Sequence, residues 1–196
     1  MARSAKAHWT RMPLAILSLL GAPTIVLACS RDTKTTENQG SPFRPTASIL
    51  ELMDAEVDPA ADFLWAAVAS ISTRAGIEDR EPHTAEEWAE VRRKAITLSE
   101  ATNLLLLPGR RVATGYFPSH GPGELDSTEV QRRIDANHAA FEALAHVLQE
   151  ASQQALAAID AKNPADLMQA GGTIDAACEG CHVVFWYPDQ SSLLPR

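Results

Sequence analysis

TAEEWAEVRRKAITLSEATNLL, residues 84–105, is the stretch that decides the fold. Thr84 and Glu87 make a Thr-x-x-Glu capping box, in which each side chain satisfies an amide left open at a helix start. Behind it Trp88, Val91, Ala95, Leu98, Thr102 and Leu105 recur at alternating spacings of three and four. That spacing keeps a narrow apolar stripe on one helical face, and the remaining positions are largely charged or small. A helix with such a stripe must bury it against other helices. Pro108-Gly109 ends the segment.

The pattern recurs on both sides. Ser48–Ala75 carries Leu50, Met53, Val57, Leu64, Val68 and Ile71 in phase, with Gly76 as its stop. Asp58-Pro59 interrupts it, so the helix kinks there or restarts with Asp58 as cap and Pro59 in the first turn. Asp126-x-x-Glu129 opens a third helix running to about Ala161, its seam made of Val130, Ile134, Asn137, Phe141, Leu144, Leu148 and Ile159. Asn163-Pro164 caps a fourth helix, which ends before Pro188; Gly171-Gly172 in its middle suits a close helix crossing. Residues 108–126 hold three prolines and four glycines and form a long loop. The chain is only 6% aromatic and lacks alternating strand patterns. The expectation is an all-α fold, one antiparallel up-down-up-down four-helix bundle over residues 47–196.

The first 28 residues read as an export signal. Arg3, Lys6 and Arg11 form a basic start, and the apolar stretch from Met12 to Ala28 is short and broken by Pro13 and Pro23. It ends Val26-Leu27-Ala28-Cys29, which resembles the lipobox of bacterial lipoproteins, with Cys29 as the lipid-modified residue; ordinary cleavage after Ala28 is the alternative. Residues 29–46 are polar and proline-broken and read as a flexible tether. The sequence therefore predicts a periplasmic protein held to a membrane by an N-terminal lipid.

Removing residues 1–28 leaves 14 of the 17 basic residues against all 25 acidic ones, a net charge of −11. Nucleic-acid phosphates would be repelled by such a surface, whereas a basic redox protein would be steered towards it. No catalytic dyad or triad is evident, so an enzyme is not expected.

Cys178-Glu179-Gly180-Cys181-His182 carries the chemistry. Cys-x-x-Cys-His is the attachment signature of a c-type haem: two thiols bond the vinyl groups and the adjacent imidazole reaches the iron. Positions 178, 181 and 182 lie at i, i+3 and i+4, so all three side chains share one helical face. A structural disulfide, a thioredoxin-like pair and half of a zinc site compete for the same residues. A thioredoxin-like pair belongs where a helix follows a strand, and none is expected here. Zinc needs further ligands, and only Cys29 remains among the cysteines. A disulfide leaves His182 unexplained.

Cys178 to Phe185 reads Cys-x-x-Cys-His-x-x-Phe near the end of a fourth helix, and in this the chain resembles the cytochrome c′ group of class II c-type cytochromes. The resemblance spans about Ala47 to Tyr187. It implies one covalent haem c, with thioethers from Cys178 and Cys181 and His182 as proximal iron ligand. It also implies homodimers, which relatives often form. The family commonly has an arginine after the aromatic, where this chain has Trp186.

Relatives divide into those with a methionine sixth ligand from the first helix and those with an open iron. Met ligation favours electron transfer, and an open iron binds small gases. In an up-down-up-down bundle the end of the fourth helix meets the start of the first. His182 and Met53 both lie about five residues from that end, roughly 8 Å deep at about 1.5 Å per residue. His138 and His146 lie roughly 17 and 29 Å deep on the third helix, and Met168 is roughly 21 Å along the axis from His182. Met53 is thus the sulfur matched to the iron. The loop at 108–126 falls at the same end. There Arg110 and Arg111 are candidates for the haem propionates, and Leu104 to Leu107 with Phe141 for apolar cover. The expected function is single-electron transfer with periplasmic or membrane redox proteins. The alternatives are a five-coordinate haem that binds nitric oxide or carbon monoxide, and a non-haem structural lipoprotein with a Cys178–Cys181 disulfide.

Overall fold

The computed structural model describes residues 42–119 and 121–189. The signal segment 1–28, Cys29 and the tether up to residue 41 lie outside the described residues. Among the described residues no helix is long and apolar enough to cross a membrane.

The expected four-helix bundle is present, with the first and third helices each divided. Helix α1 (Ile49–Leu52) passes through a π turn (Met53–Val57) into α2 (Asp58–Ala67). A hairpin of β1 (Ala69–Thr73) and β2 (Gly76–Arg80) follows, and then α3 (Ala85–Leu105). The long loop leads to α4 (Ser127–Ala136), α5 (His138–Asp160) and α6 (Pro164–Phe185). The bundle closes as a ring: α2 packs on α3, α3 on α5, α5 on α6, and α6 back on α2.

The start signals act as read. Thr84 accepts from the Glu87 amide, and the Glu87 carboxylate accepts from the Thr84 amide, at 3.1 and 2.8 Å. Asp126 caps α4 by accepting from the amides of Thr128 and Glu129, and Asn163 caps α6 through Ala165 and Asp166. All six residues of the α3 stripe are buried, Ala95 and Leu98 completely. Leu64, Leu98, Leu167 and Ile174 meet in the main core, and each such side chain contributes about 1.5–3 kcal/mol through removal from water. A second, smaller cluster of Ile49, Leu52, Leu105, Val112, Ile134, Phe141 and Phe185 lies at the end of the bundle that carries the loop.

Three expectations need correction. The first helix does not run to Ala75: it ends at Ala67, and Ala69–Arg80 form an antiparallel hairpin with Ile71 opposite Glu78. The 3,4 spacing of Leu64, Val68 and Ile71 suits a helix, but Ser70, Ile71, Ser72 and Thr73 are a poor helical run, β-branched or with hydroxyls that bond locally. Ser70 Oγ indeed donates to Asp79 and Thr73 Oγ1 to the Gly76 carbonyl, at 2.7 and 2.8 Å. Gly76 takes φ +135°, which a residue with a side chain rarely adopts. The third helix breaks at Asn137 (φ −142°, ψ 49°), which stands on the expected seam but is exposed. Finally, Leu50 is 36% exposed while Ile49 and Leu52 are buried, a change of phase caused by the π turn.

Candidate haem site

At the loop end of the bundle a cavity of about 410 Å³ opens between the first helix, the loop, α4, α5 and α6. It is lined by Ile49, Leu50 and Met53 of the first helix, Val130 and Ile134 of α4, Phe141 of α5, and Cys181, His182, Phe185 and Trp186 at the end of α6. Val112, Phe117, Pro118 and Leu125 of the loop close it in, and the walls are mainly apolar. Asp54, Asp58 and Glu124 supply carboxylates.

The loop is held by backbone bonds rather than by packing alone. The amides of Ile49 and Leu50 donate to the carbonyls of Arg111 and Val112, at 2.8 and 3.0 Å. Val112 N–H donates to Gln131 Oε1 at 2.8 Å, and Leu125 N–H to the Trp186 carbonyl at 2.9 Å. These bonds tie the loop to α1, α4 and the C-terminal turn, so the cavity has fixed walls.

Cys178, Cys181 and His182 lie on the last turns of α6, and the two thiols are not bonded to each other. Cys178 packs against the main core and Cys181 against the second cluster. Burial pushes the Cys178 thiol up to about 11, with Asp58 and Asp175 adding to it, and burial alone takes Cys181 to about 11. Both are therefore neutral thiols at neutral pH. Burial lowers the His182 pKa, against the opposing pull of Glu179 and Asp58. The imidazole is thus kept neutral, the form that has a lone pair to give a metal. Its ring sits edge-on to Trp186 at 5.1 Å and to Tyr187 at 5.8 Å. The turn beyond it is fixed where Trp186 and Tyr187 amides both donate to the His182 carbonyl, and Tyr187 Oη donates to Glu179 at 2.8 Å.

The structure brings Met53, Cys181 and His182 to one cavity, with Cys178 one turn earlier on the same helix. It does not bring Arg110 and Arg111 there. Arg110 is spent on the chain itself, donating to the Leu104 carbonyl at 2.6 Å and to the Ala47 carbonyl. Arg111 is exposed and borders a separate depression with Gln131 and Asp135. Of the apolar cover, Phe141 lines the cavity, but Leu104 to Leu107 do not. His138 and His146 are exposed, and Met168 is 47% exposed beside Gly171 and Gly172. Sequence reading missed Asp58 as a cavity residue. The sequence marks it as a kink or a cap, and the π turn lies between it and Met53, which line the same cavity.

A thiol and a neutral imidazole lining a cavity with mainly apolar walls, with a second thiol one turn earlier on the same helix, suit a covalently held haem. Thioredoxin-like chemistry is disfavoured by position, since the pair lies at the C-terminal end of α6 and not at a helix start after a strand. The sequence model of the cytochrome c′ family matches residues 87–186, just over half of the chain and inclusive of the whole motif. The chain belongs to the cytochrome c′ family. As a member of it, this is a haem c protein. Among solved structures, a ferrous variant of cytochrome c prime from Alcaligenes xylosoxidans with bound NO aligns over 72% of this chain and 97% of its own, at 17% identity and a TM-score of 0.44. No curated protein matches.

Proposed function

We propose that this cytochrome c′ family member carries one covalent haem c and transfers single electrons. The observation that supports it best is that Met53 and His182 line the same cavity from two different elements, the first helix and α6. The haem, when bound, supplies the one-electron chemistry of iron. Cys178 and Cys181 hold it through thioethers, His182 gives an imidazole nitrogen, and Met53 offers a thioether sulfur.

The chain's own residues do the remaining work. Phe141, Phe185, Ile134 and the loop residues exclude water, which sets the local dielectric and hence the potential. Trp186 and Tyr187 restrict rotation of the His182 ring, and the loop–α1 bonds keep Met53 at the cavity wall. In this proposal the protein is exported, anchored through a lipid on Cys29, and meets basic redox proteins that its net negative charge attracts; a homodimer is its proposed assembly.

The test is optical and magnetic spectroscopy of the matured protein and of Met53→Ala. A low-spin wild type that turns high-spin in the variant is the expected result. A wild type that is already high-spin and takes up carbon monoxide readily would support gas binding and remove electron transfer as the leading role.

A further inference from the structure

The buried face of the first helix changes register half-way along. Val57, Ala60, Ala61 and Leu64 are each 2% exposed or less and face the main core. Upstream, Ile49 and Leu52 are buried in the second cluster, and Leu50, 36% exposed, lines the cavity. Leu52 and Val57 are five residues apart, whereas a helical stripe steps by three or four. The additional residue is absorbed by the π turn at Met53–Val57, where the Asp58 amide donates to the carbonyl of Met53. One inserted residue turns the upstream segment by about 100° against the downstream one. In an uninterrupted helix Met53 would continue the Val57–Leu64 stripe and face the main core. With the π turn it is half-buried where the two clusters meet, touching both, and it lines the cavity.

Both sides of the turn are held, so the phase difference cannot relax. Ser48 and Glu51 form a capping box on α1, and the first two amides of α1 are bound to the loop carbonyls of Arg111 and Val112. Helix α2 is fixed by its core face and by Trp65 Nε1, which donates to the Gly171 carbonyl at 3.0 Å. Pro59 stands at the join. It has no amide hydrogen, and in a regular α-helix its ring would meet the Ala55 carbonyl. We infer that the π turn, made of one extra residue and stabilised by Pro59, is the positioning device that turns Met53 from the main-core face towards the cavity lined by His182.

This rests on Met53 as the sixth ligand, and the experiment separates the two. In the haem-loaded protein, Pro59→Ala removes the ring that conflicts with a regular helix. The expected outcome is that the Asp58 amide bond moves, read by NMR, from the Met53 carbonyl to that of Asp54, and that the low-spin spectrum weakens although Met53 is still present, with helical circular dichroism and attached haem retained. An unchanged amide bond and spectrum overturn the inference. Deletion of Ala55, an exposed residue within the turn, closes the turn to a regular helix whose two flanks keep their present phase; it should keep the low-spin spectrum, and a folded deletion variant that loses it overturns the inference as well. Met53→Ala with an unaltered wild-type spectrum would instead remove the ligand reading, and the inference with it.

Discussion

Gly171 and Gly172 are neighbours on α6 that should respond to alanine in opposite ways. Both lie inside a helix, where Gly→Ala stabilises by about 1 kcal/mol through backbone entropy. A Cβ on Gly172 would meet nothing within 4 Å, so Gly172→Ala should realise that gain in full. A Cβ on Gly171 would stand 3.1 Å from Trp65 Cδ1, closer than packed carbons normally sit. The indole cannot retreat freely, because its Nε1 donates to the Gly171 carbonyl at 3.0 Å. Overpacking costs about 1–3 kcal/mol, and a weakened hydrogen bond about 0.5–1.5 kcal/mol. The loss therefore exceeds the helical gain. Gly171→Ala should fall below Gly172→Ala by about 2 kcal/mol, a gap of roughly 4–8 °C in melting midpoint for a domain of this size. Thermal unfolding of the two variants, followed by circular dichroism, reads this directly. In a Trp65→Ala background the difference should collapse, since the obstacle is gone. Equal midpoints in the native background would refute the crossing contact, and a gap that persists without Trp65 would refute its assignment to the indole.

Other expectations concern thiols and caps. In the haem-free chain, Cys178 and Cys181 at about 11 should alkylate slowly at neutral pH and faster as the pH rises towards that value, because only the thiolate reacts. Rates at pH 7 equal to those of the urea-unfolded chain would show that burial does not suppress ionisation. Asp126→Ala and Asn163→Ala should each cost about 1 kcal/mol in chemical denaturation, with their midpoints lowered and slopes unchanged; a neutral effect would contradict the side-chain bonds at these helix starts.

The helix starts were legible because capping is local: Thr84 with Glu87, Asp126 and Asn163 each announce themselves within four residues. The α3 stripe was legible for a related reason, since an unbroken helix has one phase throughout. Phase failed where the helix was interrupted. Leu50 belongs to the stripe only if no residue is inserted between it and Val57, and nothing in Met53-Asp54-Ala55-Glu56-Val57 signals a π turn by itself. The hairpin was hidden by an apolar spacing at Leu64, Val68 and Ile71 that continues a helix, whereas the hydroxyl and β-branched run from Ser70 to Thr73 bonds locally and takes the strand instead. At the site, the motif fixed what His182 and the two cysteines share, while depth along the bundle led to Met53. Charge alone points to Arg110 as a propionate partner; a guanidinium at that end of the bundle can equally satisfy main-chain carbonyls, and here it donates to those of Leu104 and Ala47.

Haem attachment is the central claim, and mass spectrometry of the denatured protein, produced with c-type maturation machinery, tests it most directly. The predicted result is one haem retained through denaturation by the native chain, with none retained by the Cys178→Ser, Cys181→Ser double variant. A native chain that releases its haem on denaturation, or never acquires one, would contradict the account.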